Sequence, residues 1–132
     1  MKSIIPDISV ENCKEALDFY KDIFGGEIKM VQVADGKEMF KGHEGKIIHS
    51  ELHINQNCVM YFTDIFGDNH QSGNVKLVLE MESQSEIDDV YKSLGSLGKV
   101  HYKLQKTFWG AHHAVVTDKY GVTWELNYAD RQ

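Results

Sequence analysis

Apolar and polar residues follow two distinct periodicities along this chain, one typical of helices and one typical of strands. Apolar residues with helical spacing run from Cys13 to Phe24 and again from Ile87 to Leu97, which predicts two amphipathic helices. Gly25 and Gly26 follow the first stripe and Gly98 follows the second. Because glycine adopts the left-handed conformation easily, these glycines are the predicted helix ends.

Each predicted helix begins with the residue spacing of a capping box. Asn12 precedes Glu15 by three residues, and Ser83 precedes Glu86 by three residues. In this motif the first side chain accepts a hydrogen bond from a free backbone N–H at the start of the helix. The sequence therefore predicts helix starts at Asn12 and Ser83.

Strand-like runs surround both helices. Pro6 lies within the first of them and indicates a bulge or an edge strand, because proline lacks the N–H that a central strand needs. The polar, glycine-punctuated segment Asp35–Gly45 is predicted to be a loop. The predicted strands are Ser3–Ser9, Glu27–Ala34, Ile47–Asn55, Cys58–Asp64, Val75–Met81, Val100–Gln105, Ala111–Thr117 and Val122–Tyr128.

A short repeat within the sequence, the sequence echo, relates the elements of the two halves to one another. Asp18–Lys21 returns 71 positions later as Asp89–Lys92, and the same offset lays Ser3–Ser9 over Asn74–Glu80. Each half then reads strand, helix, strand, strand, strand. We therefore predict a single α+β domain of two βαβββ modules, at about 1–64 and 74–132, joined by a linker at 65–73.

Composition narrows the class of protein. The 132 residues carry a formal net charge of −6, which argues against nucleic-acid binding because that binding rests on Lys and Arg contacts to phosphates. No run approaches the roughly 20 apolar residues of a membrane span, and the first residues do not resemble a signal peptide. Cys13 and Cys58 form no motif and are expected to be reduced thiols. We expect a cytoplasmic protein.

The strand Ile47–Asn55 separates an apolar side from an ionisable side. Alternation puts His49, Glu51 and His53 on one side and residues such as Ile48 and Leu52 on the other. Such a polar side is commonly a solvent-facing surface, so both a site and a plain surface stay open. His53 is near the predicted hairpin tip and is expected to be merely exposed.

The last predicted strand has the same division. Thr123, Glu125 and Asn127 share its polar side. His112 and His113 lie on the preceding strand, and alternation sends only one of them to that side. If both sheets curl with their helices outside, the polar sides of both modules face a shared cup.

Four segments resemble a known family. Asn12–Gly26 resembles the opening helix of the PhnB-like branch of the vicinal oxygen chelate superfamily, which includes glyoxalase I, extradiol dioxygenases and bleomycin-resistance proteins. His49–Leu52 resembles the branch's His-Ala-Glu-Leu strand. Leu104–Ala111 resembles its Leu-Gln-x-Thr-Phe-Trp-Gly-Ala segment, and Thr117–Trp124 its Thr-Asp-Lys-Phe-Gly-Val-x-Trp ending.

The resemblance implies a cupped mixed sheet, a homodimer and, in metal-dependent members, His or Glu ligands from the first and last strand of each module. Here Glu125 matches such a ligand strand, whereas the last strand of module one offers only Val59–Tyr61. The first strands offer Ile5, Pro6 and Asp7 in one module and Asn74 and Val75 in the other. Because most of the four ligands are missing, glyoxalase I activity is not expected.

Two functional hypotheses follow. The favoured one is a protein that binds a small oxygenated or aromatic metabolite in the cavity, without the four-ligand metal site. Its ligand-binding residues would be Gln105, Phe108, Trp109 and His112. The alternative is an enzyme of lyase, isomerase or dioxygenase type with a rearranged metal or acid–base site. Its catalytic residues would be His49, Glu51 and Glu125, of which His49 and Glu125 would ligate a divalent ion if one binds.

Overall fold

A computed structural model of the chain describes residues 1–67 and 74–129. The chain divides into two compact units, Met1–Asn69 and His70–Gln132. In each unit the described elements follow the order strand, helix, strand, strand, strand, as the sequence pattern predicts. Residues 68–73 of the predicted linker lie outside the described residues.

The first unit is a four-stranded sheet covered on one face by a helix. Its elements are β1 (Asp7–Val10), α1 (Cys13–Phe24), β2 (Glu27–Val33), β3 (Ile47–Asn55) and β4 (Cys58–Asp64), with a short 3-10 turn at Glu38–Phe40. The strands lie in the order β1-β4-β3-β2. β1 is parallel to β4, whereas the other neighbours are antiparallel.

The second unit repeats this plan. Its elements are β5 (Leu77–Glu80), α2 (Gln84–Gly95), β6 (Lys99–Lys106), β7 (Ala111–Thr117) and β8 (Thr123–Ala129). The strands lie in the order β5-β8-β7-β6, again with one parallel pair, β5 and β8. The prediction of an α+β fold made of two βαβββ modules is therefore confirmed, with one mixed four-stranded sheet in each.

The first strand of each unit is shorter than predicted. β1 begins at Asp7 rather than Ser3, and β5 begins at Leu77 rather than Val75. Pro6 directly precedes β1, and its carbonyl accepts a hydrogen bond of 2.8 Å from the N–H of Tyr61. Because proline has no N–H of its own to donate, regular pairing begins only after it.

The helix starts follow two different mechanisms. Ser83 caps α2 as predicted, since its hydroxyl accepts the N–H of Glu86 at 3.1 Å. Asn12 does not cap α1 in this way: it has a left-handed backbone, and its side-chain amide donates to Glu15 at 2.8 Å. Asp64, at the end of β4, instead accepts the N–H of Cys13 at 2.9 Å. The cap of α1 is therefore a tertiary contact.

A glycine after each helix allows close backbone approach. A Cβ atom on Gly26 would overlap the carbonyl oxygen of His53 in β3. A Cβ atom on Gly98 would overlap the carbonyl oxygen of Thr117 in β7 in the same way. Only glycine fits such a contact. The prediction that Gly98 itself ends α2 is wrong, because that helix ends at Gly95 and Ser96 follows it.

The helices pack against their sheets through different stripes. Tyr20 is fully buried in the first unit and stacks on Phe62, with ring centroids 5.0 Å apart. Tyr91, its partner in the sequence echo, is only half-buried, and Val90 beside it is buried instead. The echo therefore marks two helices of equal length and place, but their buried faces are rotated. The fully buried large side chains of the second unit are Ile87, Leu94, Val116, Trp124 and Leu126.

The remaining features are the lengths of the helices and the state of the cysteines. Neither α1 nor α2, the helices of the described ranges, is long and apolar enough to cross a membrane. Both cysteines are free thiols, Cys13 in the core and Cys58 on the surface.

Candidate functional site

The polar face of the first sheet carries a carboxylate bridged by two histidines. His49, Glu51 and His53 share one face of β3, as alternation predicts, and all three side chains are half-buried. Nε2 of His49 lies 2.8 Å from one oxygen of Glu51, and Nε2 of His53 lies 2.7 Å from the other oxygen. The expectation that His53 is merely exposed is therefore wrong, because Glu51 holds its ring against the sheet.

These contacts favour the ionised form of Glu51. Hydrogen bonds from His49 and then His53 lower the pKa of the Glu51 carboxyl, against a smaller opposing effect of burial. An ionised carboxylate only accepts hydrogen bonds. Both Nε2 atoms must then carry the hydrogen, and the two oxygens of Glu51 are each occupied by one imidazole.

Neighbouring strands complete this polar face. Tyr61 of β4 lies directly across from Glu51, and its ring meets the His49 ring edge-on with centroids 4.8 Å apart. On the other side, Lys29 of β2 lies across from Glu51 but forms its ion pair with Glu27 at 3.6 Å. The bridge thus has an aromatic neighbour on one side and a charged pair on the other.

The polar face of the second sheet is built around Glu125. Nε2 of His113 lies 3.9 Å from a carboxylate oxygen of Glu125, and the Lys76 ammonium lies 4.0 Å from the same oxygen. Val78 of β5 and Val115 of β7 flank Glu125 across the sheet. Glu125 therefore lies near the basic side chains of His113 and Lys76, and its two direct neighbours across the sheet are valines.

Aromatic rings surround His113. The rings of Tyr102 and Trp109 lie 5.4 Å and 5.8 Å from it, and Phe108 contacts Trp109 edge-on at 4.8 Å. Phe108 is 98% exposed and Trp109 is 57% exposed. A large aromatic surface next to polar groups is therefore open to a ligand.

The turn between β6 and β7 holds these aromatic residues in place. Thr107 is buried, and both its N–H and its hydroxyl donate to the carbonyl of Ala111, at 2.8 Å and 2.9 Å. Gly110 closes the turn with φ of 88°, a conformation that favours glycine. The Thr-Phe-Trp-Gly-Ala segment is thus a hydrogen-bonded turn, and the rings of its two central residues are exposed.

The structure separates the two adjacent histidines. His113 shares the face of Glu125, whereas His112 lies on the opposite face and stacks on Tyr128, with centroids 5.9 Å apart. His112, a predicted ligand-binding residue, therefore lies on the face opposite to Glu125, because successive residues of β7 alternate between its two faces. Gln105 lies across from His113, and its exposed side-chain amide donates to the carbonyl of Lys103 at 3.2 Å.

The two polar faces can be aligned residue by residue. Because Gly26 and Gly98 approach the carbonyls of His53 and Thr117, these two residues are equivalent. Counting back along β3 and β7 and then across the paired strands gives the remaining matches. The equivalent pairs are His49 with His113, Glu51 with Val115, Tyr61 with Glu125, and Asp7 with Val78.

These equivalent positions include those where the family resemblance implies the four metal ligands. The first and last strands present Asp7 and Tyr61 in one unit and Val78 and Glu125 in the other. A valine side chain cannot ligate a metal, and a neutral phenol is a weak ligand, so these residues do not fit the four-ligand set. In residues 1–67 and 74–129, no group of three or more His, Cys, Asp or Glu side chains is arranged to hold a metal ion.

The predicted site residues thus divide between the units. His49 and Glu51 lie together in the first unit, while Gln105, Phe108, Trp109 and Glu125 belong to the second. The sequence did not single out Tyr61, Lys76 or Tyr102, and it left open which of His112 and His113 shares the face of Glu125. Tyr61, Lys76 and Tyr102 come close to the predicted residues only through the pairing of neighbouring strands.

Comparisons with known proteins agree with this fold. Residues 5–126 match the Glyoxalase/Bleomycin resistance protein/Dioxygenase superfamily. The chain is 25% identical to protein YjdN of Escherichia coli over 135 residues, which cover 92% of this chain and 90% of that protein. A PhnB protein from Bacillus cereus is 26% identical with a TM-score of 0.82, covering 97% of this chain and 100% of its own. Protein PA1353 from Pseudomonas aeruginosa is 24% identical with a TM-score of 0.88, and the match covers 99% of this chain and 100% of that protein. The chain therefore belongs to the glyoxalase/bleomycin resistance protein/dioxygenase superfamily.

Proposed function

We propose that the second unit binds a small aromatic metabolite that carries an oxygen-bearing polar group. The binding surface is the face of its sheet around His113, with Trp109 and Phe108 as apolar walls. The observation that carries the proposal is the exposure of these two rings beside the group formed by His113, Glu125 and Lys76. The proposal needs no bound metal.

The aromatic rings supply the main free energy of binding. Phe and Trp side chains each bury roughly 150–250 Å² when they are covered. A ligand that covers about 100 Å² of apolar surface gains about 2.5 kcal/mol at roughly 25 cal/mol per Å². The backbone of the turn from Thr107 to Gly110 is already held by hydrogen bonds, so the conformational entropy lost on binding is mainly that of the exposed side chains.

The polar groups supply orientation. Lys76 and the amide of Gln105 are donors, Glu125 is an acceptor, and His113 is either according to its protonation. A few polar groups next to an apolar wall are typical of metabolite sites. Directional hydrogen bonds would therefore recognise a hydroxyl or carbonyl group of the ligand, and contact with the apolar walls would recognise its ring.

Tryptophan fluorescence gives a direct test. The chain has two tryptophans, Trp109 at 57% exposure and Trp124 fully buried. We expect benzoate, salicylate, phenol or catechol to change the Trp109 emission saturably and to protect it from acrylamide quenching, while acetate does neither. Ligands that bind the folded state should also raise the melting temperature by mass action.

Matched variants separate binding from nonspecific quenching. Trp109→Phe should remove the fluorescence change and leave only the Trp124 signal. Trp109→Ala should weaken binding, measured calorimetrically, by at least about tenfold. Met39→Ala changes an exposed apolar residue of the first unit and should have no effect. The proposal is wrong if no aromatic probe binds, or if affinity is the same in the Trp109→Ala variant.

An acid–base enzyme is the second candidate for this surface. The approach of His113 to within 3.9 Å of Glu125 favours it, because a carboxylate beside an imidazole is a common proton-transfer pair. Glu125→Gln should then abolish turnover of a substrate found by screening, with an unchanged melting temperature. Unchanged turnover in that variant would exclude Glu125 as a catalytic residue.

Assembly and location remain predictions as well. The family resemblance implies a homodimer, which light scattering on the purified protein would detect as twice the mass of 15.1 kDa. A cytoplasmic location would be checked by fractionation of the source cells.

A further inference from the structure

We propose that the first unit carries a separate proton-transfer site, in which His49 accepts a proton at Nδ1 and Glu51 positions its ring. The site concerns different residues from the ligand surface of the second unit, so it does not rest on the function proposed above. The geometry that points to it is the bridge in which one carboxylate holds two imidazoles.

The bridge decides which atom is reactive. Each oxygen of Glu51 accepts a hydrogen bond, at 2.8 Å from Nε2 of His49 and at 2.7 Å from Nε2 of His53. Glu51 is therefore engaged on both sides and is not itself the base. Within the part of the chain that the structure describes, no hydrogen bond is formed by Nδ1 of His49, so this nitrogen holds the free lone pair.

The carboxylate behind the imidazole also prepares its ring for proton transfer. The pair fixes the tautomer and ring orientation, and the negative charge stabilises the imidazolium that forms. When His49 takes a proton from an acidic C–H or O–H group, the bonding electron pair stays on that molecule. The new positive charge then lies next to Glu51, so charge is balanced inside the bridge.

The surroundings leave this charge pair intact. Lys29 lies across from Glu51 on β2 but is paired with Glu27, which lies across from His53. Tyr61 faces the bridge from β4 with its ring edge against His49. Asp7 follows on β1, across from Tyr61. The titratable and charged side chains that face the bridge from the packed strands are Glu27, Lys29, Tyr61 and Asp7.

Exposure makes the site accessible. The His49 side chain is 29% exposed and the His53 side chain 32%, whereas Glu51 is 15% exposed. The carboxylate is thus the shielded centre of the bridge, and the imidazoles form its outer parts. A structural bridge needs no outward-facing imidazole, but a proton-transfer group does.

Nitrogen NMR of the histidine rings tests the geometry directly. In the wild-type protein we expect the neutral rings of His49 and His53 to be the Nε2–H tautomer, with the lone pair of His49 on Nδ1. Glu51→Gln offers one acceptor and one amide donor in place of two acceptors. At least one of the two rings should then switch to the Nδ1–H tautomer, whereas Glu38→Gln, which changes an exposed carboxylate outside the sheet, should change neither.

A chromogenic carbon acid tests the chemistry. 5-Nitrobenzisoxazole loses its C–H proton to a base, its N–O bond breaks, and the electron pair leaves on the oxygen of a coloured cyanophenolate. We expect His49→Phe to lower its rate by about a hundredfold, as for loss of a general base. Glu51→Gln should lower the rate and change its pH profile, and Glu38→Gln should match the wild type.

Two results would overturn the proposal. One is a wild-type His49 ring that carries its hydrogen on Nδ1, or a Glu51→Gln variant in which both tautomers are unchanged. The other is a benzisoxazole rate that is the same in the wild type, His49→Phe and Glu51→Gln. Since Glu51→Gln is nearly isosteric, the test stands even if His49→Phe fails to fold.

Discussion

The two units place a histidine at the same position of the same scaffold but take the neighbouring carboxylate from different strands. In the first unit His49 is bonded to Glu51 of its own strand, and Tyr61 occupies the place on the last strand. In the second unit His113 faces Glu125 of the last strand, and a valine replaces the carboxylate on its own strand. The repeat thus sets where a histidine and a carboxylate can meet, whereas the residue types on the neighbouring strands decide how closely they approach, at 2.8 Å in the first unit and 3.9 Å in the second.

The connection between the second and third strands shows a second contrast. In the first unit residues 34–46 form a long segment whose aromatic side chains are covered. Phe40 and His43 contact Phe66 at 5.5 Å and 5.3 Å, and the Lys46 ammonium lies 5.2 Å from the same ring. In the second unit the short turn exposes Phe108 and Trp109 instead. The first unit uses its aromatic surface for its own packing, and the second leaves it open.

The sequence echo provides the largest test of this comparison. Tyr20→Ala should reduce the free energy of unfolding by about 3–5 kcal/mol, because it empties a fully buried site against Phe62. Tyr91→Ala should cost about 1 kcal/mol, because Tyr91 is half-buried. Urea unfolding measures both. Equal losses would show that the two helices pack alike, contrary to the rotated stripes described above.

The shared glycines should give the next largest effect. Gly26→Ala and Gly98→Ala should each cost about 2–4 kcal/mol, because the new Cβ atom would overlap a strand carbonyl. Gly26→Ala should cost more, since Gly26 also has φ of 89°. Gly36→Ala is the matched control: its φ is 75° but its Cβ atom meets no neighbour, so only about 1 kcal/mol is expected. Similar losses at all three positions would contradict the close approach.

Thiol chemistry tests burial in the first unit. Burial raises the pKa of the Cys13 thiol to about 12, so almost no thiolate exists at neutral pH. Cys58 is exposed. We expect Ellman's reagent to react rapidly with Cys58 and at least about a hundredfold more slowly with Cys13. The rapid phase should be absent in the Cys58→Ser variant. Two equally fast thiols would mean that Cys13 is accessible.

The smallest effect concerns the pH dependence of stability. The pKa of Glu51 is lower in the folded protein than in the unfolded chain, so its bridge stabilises the fold above the unfolded carboxyl pKa. This contribution is lost as the pH falls through the folded pKa. The difference in unfolding free energy between the wild type and Glu51→Gln should therefore shrink below about pH 4. A difference that stays constant down to acid pH would contradict the bridge.

Much of the fold could be predicted from the sequence because it follows from local pattern. Alternation on β3 put His49, Glu51 and His53 on one face, and helical spacing located both helices. The cap of α1 could not be predicted in this way, since Asp64 lies 51 residues from Cys13 in the chain. Asn12 fits the capping pattern but has a left-handed backbone instead.

The site residues divide along the same line. Glu125 and Trp109 could be selected from motif and alternation, and both lie on or beside the polar face of the second unit. The sequence could not decide which of His112 and His113 shares the face of Glu125. Adjacent residues of a strand point to opposite faces, and the pattern did not show which face each one takes. Bulges also shift the register of β2 and β6 against their neighbours, so the partners of Glu51 and His113 could not be counted from the sequence.

The sequence by itself determined which side chains share a strand face, where the helices lie and that the halves repeat. These properties depend on periods of 2 and 3.6 residues, which are local. Only the tertiary structure decided that Glu51 bridges two imidazoles, that Tyr61 stands where Glu125 stands in the other unit, and that His113 meets the aromatic turn. These contacts join residues through strand pairing and side-chain direction, and a pairing register is set by the whole sheet rather than by any one strand.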